Sequence, residues 1–413
     1  MYEGKNQKRK KITQIGTALG AVLALILAII LIIGNADGLQ DDVNQPNLGQ
    51  NQTESGSESE TGTQESEKEQ QTMQIVMVGD MLMHDKIIVS GKKEDGSYNY
   101  DHLFENVKDF ISAADLAIVN QEVMTGGSAY GYTGYPSFNS PYALVDAEAA
   151  AGFDVALLAT NHTLDKGKKA VYNCMDYIDA MSGFDYVGIN RTQEAQDNDI
   201  YIYEQNGIKV AILNYTYGTN GIPLPSDAPY LVNLMDEQKI RADIRKAEEI
   251  ADFTIVCPHW GTELKMNIDS YQKKWSKIFL EEGVDLILGA HPHVIEPIEW
   301  LRDDNGNEML VYYSLGNFVN GTTSTGHGVT TRMIGGIADV TIGRNPETGK
   351  VEVIRHDAVE IVCHQGVGTD FTVYFLDEYT EEMANQNLIK LQDTEFSKSL
   401  CESIFAQVWG EEE

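Results

Sequence analysis

The chain has 413 residues, 42% of them hydrophobic, enough for one large core with extensions. Its 63 acidic residues outweigh 30 basic ones to a net charge of −33, and no basic patch interleaved with aromatic residues offsets this, so nucleic acid is excluded as a partner. The four cysteines, Cys174, Cys257, Cys363 and Cys401, show no C-x-x-C spacing. Cys174 and Cys257 fall in helical and strand runs where buried free thiols are the commoner state, while a Cys363 to Cys401 disulfide is open on the outer side of a membrane.

Residues 1–14 are a basic tail carrying Lys5, Lys8, Arg9, Lys10 and Lys11. The segment 15–34 that follows has no charge from Ile15 to Ile33 and spans about 28 Å as a helix at roughly 1.5 Å per residue, which predicts a transmembrane helix. Asp37, Asp41 and Asp42 lie just beyond it. The charge asymmetry predicts a single-pass protein of the cell membrane with its N-terminus cytoplasmic and its main domain extracellular. A cleaved signal peptide is the competing reading, for which Asn35-Ala36-Asp37 is a poor cleavage site. Residues 35–72 are Gln, Glu, Ser, Thr, Gly and Asn with almost nothing apolar, a disordered linker that holds the following domain away from the bilayer.

From residue 73 to about 345 strand and helix patterns alternate, which predicts an α/β domain with largely parallel pairing. Strands are expected at 74–79, 115–119, 154–159, 208–213, 252–257, 284–289, 309–314 and 334–342, and helices at 102–114, 143–151, 166–182, 236–250 and 269–282. After about 300 the strands come without intervening helices, and Asp303-Asp304-Asn305-Gly306 is a hairpin signal, so a second, more antiparallel sheet is expected there. Residues 346–413 read as a C-terminal extension, with an acidic, amphipathic stretch within 364–413, and its role is not legible.

Five of the apolar runs end abruptly in residues that bind metals. Ile75–Gly79 leads to Asp80, Leu116–Val119 to Asn120 and Glu122, Val155–Ala159 to Asn161 and His162, Thr254–Cys257 to His259, and Val284–Gly289 to His291-Pro292-His293. Ligands of open α/β sheets gather beyond the carboxyl ends of strands, so these side chains are expected to converge. In an extended segment residues i and i+2 point the same way and Pro292 stiffens the backbone, so both imidazoles are predicted to face one cleft. Glu122 reads as the bridging carboxylate that two neighbouring cations need. Asn161 and His162 are adjacent and diverge, so one ligates while the other faces substrate, an arrangement suited to hydrolysis with the imidazole donating a proton.

Taken in order, Gly79-Asp80, Asn120-x-Glu122, Thr160-Asn161-His162, His259-Trp260-Gly261-x-Glu263, Gly289-Ala290-His291-Pro292-His293 and Tyr313-Ser314-Leu315-Gly316-Asn317-Phe318 resemble the capsule-synthesis CapA family associated with poly-γ-glutamate. That family is similar to the calcineurin-like metallophosphoesterases, and the resemblance implies a sandwich of two β-sheets flanked by helices around a dinuclear metal centre. It further implies Asp80, Glu122, Asn161, His259, His291 and His293 as metal ligands and His162 as the catalytic imidazole. The superfamily usually opens with Asp-x-His, whereas the first histidine after Asp80 is His84, which shares its face only if a helical turn begins there. His84 is therefore placed in a second tier with Glu263, an acid positioned to ligate or to hydrogen-bond a ligand histidine, and Asn317.

The first functional expectation is a membrane-anchored component of poly-γ-glutamate capsule synthesis or export. No G-x-x-x-x-G-K-[ST] loop is present, so the chain needs membrane-embedded capsule polymer ligase components as partners. The alternatives are a metal-dependent phosphoesterase acting on a cell-envelope phosphate ester and a non-catalytic polymer-binding scaffold. The substrate is expected to be an anionic polymer or a phosphoester. The cofactors are expected to be two divalent ions, Mn, Zn or Fe, because the ligands mix oxygen with nitrogen and include no thiolate.

Overall fold

Apolar residues on both faces make β1 (Thr72–Met81) a central strand, with Met73, Ile75 and Met77 packing to one side and Val76 and Val78 to the other. β2 (Leu116–Asn120), β3 (Val155–Leu157) and β4 (Asp185–Val187) follow it in parallel. Between them lie α1 (Asp85–Ser90), a 3-10 turn at Asp101–Leu103, α2 (Lys108–Ala113), α3 (Ala143–Ala150) and α4 (Gly167–Asp179). α5 (Gln193–Asn198) then leads to β5 (Tyr201–Gln205) and β6 (Ile208–Thr216), followed by α6 (Glu237–Ile250), β7 (Phe253–His259), α7 (Ser270–Glu282) and β8 (Leu286–Leu288). The chain finishes with β9 (Ile298–Arg302), β10 (Glu308–Tyr312), β11 (Asn317–Val319), β12 (Ile334–Arg344), β13 (Val351–His364), β14 (Thr372–Phe375), α8 (Glu381–Gln386) and α9 (Lys398–Trp409). These elements belong to a computed structural model that describes residues 71–410.

Two sheets result. One has eight strands in the order β14-β13-β12-β1-β2-β3-β4, with β11 paired to the carboxyl end of β1, and the other has six in the order β5-β6-β7-β8-β10-β9. They stack face to face on Ile75, Met77, Ile118 and Leu157 from the first sheet and Val210, Ile212, Ile255, Leu288 and Leu310 from the second. The outer face of the second sheet packs Ala211, Val256, Ile287 and Val311 against Ile240 and Ile244 of α6 and Ile278 and Phe279 of α7. Each fully buried Val, Ile, Leu, Met or Phe side chain in these layers contributes roughly 1.5–3 kcal/mol. Local chemistry agrees with the layers: α7 begins in a capping box between Asp269 and Gln272 and ends at Gly283, whose φ of 98° is left-handed.

The expected α/β architecture of two sheets with flanking helices is present, but the strands after residue 300 do not form a sheet of their own. β9 and β10 make the hairpin expected at Asp303–Gly306 and close the six-stranded sheet, whereas β12, β13 and β14 extend the eight-stranded one in antiparallel fashion. The helix expected at 102–114 is instead the 3-10 turn and α2. All four cysteines are buried and free, so Cys363 and Cys401 are not bridged. No helix among the described residues is long and apolar enough to cross a membrane, and the segment 15–34 lies outside them.

Candidate metal centre

Strand register brings the site together. Asp80 pairs with Asn120 of β2 on one side and with Asn317 of β11 on the other, so three polar side chains leave adjacent parallel strands at one level. His259 ends β7 and bridges to Ala290, which precedes His291. Two glycines allow the strands to approach: a Cβ on Gly79 would lie 2.0 Å from the Gly316 carbonyl oxygen, and one on Gly289 would lie 2.1 Å from that of Tyr313. Asn214 of β6 ties the sheets together, accepting from the Ala159 N–H at 2.7 Å and donating to the Cys257 carbonyl at 2.8 Å.

The side chains fall into two groups that share Glu122. On one side Asn120 donates to Asp80 Oδ1 at 2.7 Å, and His293 Nδ1 lies 2.9 Å from Asp80 Oδ2 and 3.1 Å from Asn317 Oδ1. On the other, His259 Nε2 lies 2.9 Å from Asn161 Oδ1, and the His259 and His291 ring centroids are 4.7 Å apart. Between them Glu122 Oε1 stands 3.6 Å from His293 Nε2, 3.7 Å from His259 Nε2 and 4.0 Å from His162 Nε2. Glu122, His291 and His293 each offer one ligand atom, all within 4.8 Å of one another.

Neither carboxylate oxygen of the fully buried Glu122 has a hydrogen-bond partner, nor does Nδ1 of His259 or of His291. Such groups are costly to bury bare. The 3.6–4.0 Å separations from Glu122 Oε1 are too long for direct hydrogen bonds and lie at or just beyond the roughly 3–3.6 Å that parts donor atoms each about 2.0–2.2 Å from one ion. Burial drives the Glu122 carboxyl well above the usual carboxylate range, opposed by the His293 ring. Burial and then the neighbouring imidazoles hold His259 and His291 well below an ordinary histidine, leaving neutral nitrogens. Burial works against a charged His293, but the Glu122 and Asp80 carboxylates outweigh it and push its pKa up to about 10.

His162 presents Nδ1 to Asp165 Oδ2 at 2.8 Å, and its ring meets the edge of Phe138 with centroids 4.7 Å apart. Asp165 also accepts from the Phe138 N–H at 2.7 Å, fixing carboxylate and wall together. The imidazole therefore stands oriented with Nε2 toward Glu122, an arrangement able to move a proton at the cleft.

Asp80, Glu122, Asn161, His162, His259, His291, His293 and Asn317 thus converge as the sequence predicts. The extended geometry expected at 291–293 does not occur, because φ is 102° at His291 and 59° at His293, an unfavourable left-handed backbone held by the Asp80 contacts. His84 precedes α1 and lines the cleft with its ring edge-on to Phe138, its pKa lowered to about 4 by burial and then by His293. Glu263 stands exposed on the same cleft and makes no hydrogen bond to a site histidine. Sequence reading missed Asp165, whose signal was its position three residues beyond His162 in one turn. It also missed Tyr217, whose ring lies 4.6 Å from that of His291, and Arg332, neither of which carries a local motif.

The residues that build this site lie in a segment with known relatives. Residues 74–322 match the model of a family described as bacterial capsule synthesis protein PGA_cap, and the chain belongs to that family. It is 29% identical over 265 residues to the capsule biosynthesis protein CapA of Bacillus anthracis, covering 61% of each chain. It is 30% identical over 177 residues to the PGA biosynthesis protein CapA of Bacillus subtilis (strain 168), covering 40% of this chain and 42% of the relative. The matches thus span less than two thirds of either relative. Among solved structures it is similar to the NAD nucleotidase NadN of Haemophilus influenzae, with 12% identity, a TM-score of 0.46 and coverage of 82% of this chain and 67% of that one. It is also similar to the calcineurin-like phosphoesterase YfkN of Bacillus subtilis, with 15% identity, a TM-score of 0.41 and coverage of 71% and 91%.

Proposed function

We propose that this chain is a membrane-anchored, extracytoplasmic member of the capsule-synthesis family that acts in poly-γ-glutamate capsule formation through a dinuclear centre of metallophosphoesterase type. The observation that carries this reading is Glu122, fully buried, with both oxygens unpartnered among three imidazoles. Asp80, Glu122 and His293 would hold one ion, and Glu122, Asn161, His259 and His291 the other, with Mn, Zn or Fe suited to these donors. When bound, such ions supply Lewis acidity at a phosphoryl oxygen and lower the pKa of water. This chain's own residues do the rest. Asp165 keeps His162 Nδ1 engaged so that Nε2 gives its proton to a departing oxygen, and Phe138 shields that proton from solvent. Asn120 and the His291 N–H hold Asp80, which in turn fixes the strained turn that presents both histidines.

The uncharged segment 15–34 and the polar tether after it support attachment to a membrane, with glutamate activation left to ligase partners. The test replaces His162 with Asn in the full chain and measures metal content, phosphoester hydrolysis and polymer output. Metal content is expected to stay and turnover to fall by roughly 10²- to 10⁴-fold. Unchanged hydrolysis and polymer output in this variant would contradict the catalytic role.

A further inference from the structure

Beside the metal centre a cleft of about 350 Å³ opens between His162 and His293, and its only Lys or Arg is Arg332. The other described arginines, Arg191, Arg241, Arg245, Arg302, Arg344 and Arg355, each pair with a carboxylate. Arg332 pairs with none among the described residues, and its guanidinium makes one protein hydrogen bond, from Nη1 to Ser324 Oγ at 2.8 Å. Glu263 lines the same cleft and acts on Arg332 through space, without forming an ion pair with it. In a chain of net charge −33 an arginine left without an acid is the exception that needs a reason.

The backbone at Arg332 is held by residues of the candidate metal centre and by the C-terminal segment. Its carbonyl accepts from Asn317 Nδ2 at 3.0 Å and from Asn320 Nδ2 at 2.9 Å, and the same Asn317 amide donates to the His293 carbonyl at 3.1 Å. Asp393 accepts from the N–H of Thr330 at 3.1 Å and from its hydroxyl at 2.8 Å, pinning the 3-10 turn Thr330–Arg332 from below. Since Ser324 Oγ already accepts from Arg332, its own proton is free to donate in turn, and Thr322 and Thr323 stand on the same wall. A planar guanidinium fork flanked by hydroxyls and partly screened from water recognises a carboxylate or phosphate in bidentate fashion.

We infer that Arg332, with Ser324, forms an anion subsite in this cleft, which takes a carboxylate or phosphate group of the substrate other than the one that reacts. The inference deepens the reading proposed above and rests on it for the reacting end of the substrate. Substrates with two separated anionic groups, such as a polyanionic chain or a diester with a pendant acid, span the cleft from Arg332 to His162 and His293. Arg332 positions them and takes no part in the bond change.

The experiment measures dissociation constants on the full chain in detergent by calorimetry, with γ-linked glutamate oligomers and inorganic phosphate as separate probes. Arg332→Met should weaken at least one probe by about 10- to 100-fold, the worth of a lost charge-assisted pair. Ser324→Ala, which keeps the guanidinium, should weaken the same probe by about threefold. Loss confined to the oligomer assigns the subsite to carboxylates, and loss confined to phosphate assigns it to phosphoryl groups. Equal affinities in wild type and Arg332→Met, or no binding of either probe to the wild type, would overturn the inference. Repeating the series in a His291→Ala/His293→Ala background separates the two readings, because binding that still depends on Arg332 there leaves the subsite standing even if the metal centre fails.

Discussion

Glu122 has no hydrogen-bond partner on either carboxylate oxygen, and Oε1 faces His162, His259 and His293, so under the proposed function it is the charge of this group that would hold cations. Glu122→Gln keeps the shape and removes the charge, and metal affinity measured by competition with a chelator should drop by more than about 100-fold, the upper range even for outer partners of a metal site. A second residue-scale prediction concerns Glu296, buried three residues past His293, bonded to Gln272 on one oxygen and unpartnered on the other. Burial first, opposed by the Gln272 amide, raises its pKa from 4.5 to about 8. The folded protein therefore binds this proton more tightly than the unfolded chain. Stability contributed by the neutral acid is intact below about pH 4.5 and is lost as pH rises toward about 8. Glu296→Gln should match wild type in thermal unfolding at pH 5 and exceed it at pH 8.5 by roughly 1–3 kcal/mol. A constant difference across that range would remove the assignment. Most ligand-type residues were legible because each ends an apolar run. Arg332 was not, since its significance lies in lacking an acid, and only tertiary contacts reveal that.

Between elements the tightest constraint is the meeting of β1 and β11. A side chain at Gly79 would strike the Gly316 backbone, which also accepts the Asp80 N–H at 2.9 Å, so Gly79→Ala must part the strands that carry Asp80 and Asn317. Urea unfolding should show a loss of roughly 2–4 kcal/mol, with metal binding impaired even in the folded fraction. Most of the parallel strands were visible in the sequence because burial on both faces leaves unbroken apolar runs, as in Leu116–Val119, whereas the three-residue β4, partly exposed, and the equally short β11 were not. β13 was not, because much of its middle is exposed and Glu352, Arg355, His356 and Asp357 leave no apolar run or clean alternation there. The segment after 345 has structural duties all the same. β13 pairs along the length of β12, Asp393 pins the turn before Arg332, and the Trp409 indole donates to the Glu296 carbonyl at 2.8 Å.

On the scale of the whole molecule, the proposed attachment through the apolar segment 15–34 would rest on burial and not on charge, in keeping with a net charge of −33. The chain should remain with membranes through a high-salt wash, and protease added outside intact cells should cut within 35–72 and release a compact domain. A protected domain would reverse the topology. The proposed catalytic role depends on whether cations occupy the space around Glu122. Elemental analysis of the full chain after reconstitution is therefore the most direct measurement. The account predicts close to two transition-metal ions per wild-type chain and fewer than one in His291→Ala/His293→Ala, whereas a wild type without metal, or a double variant that keeps both ions, would contradict it.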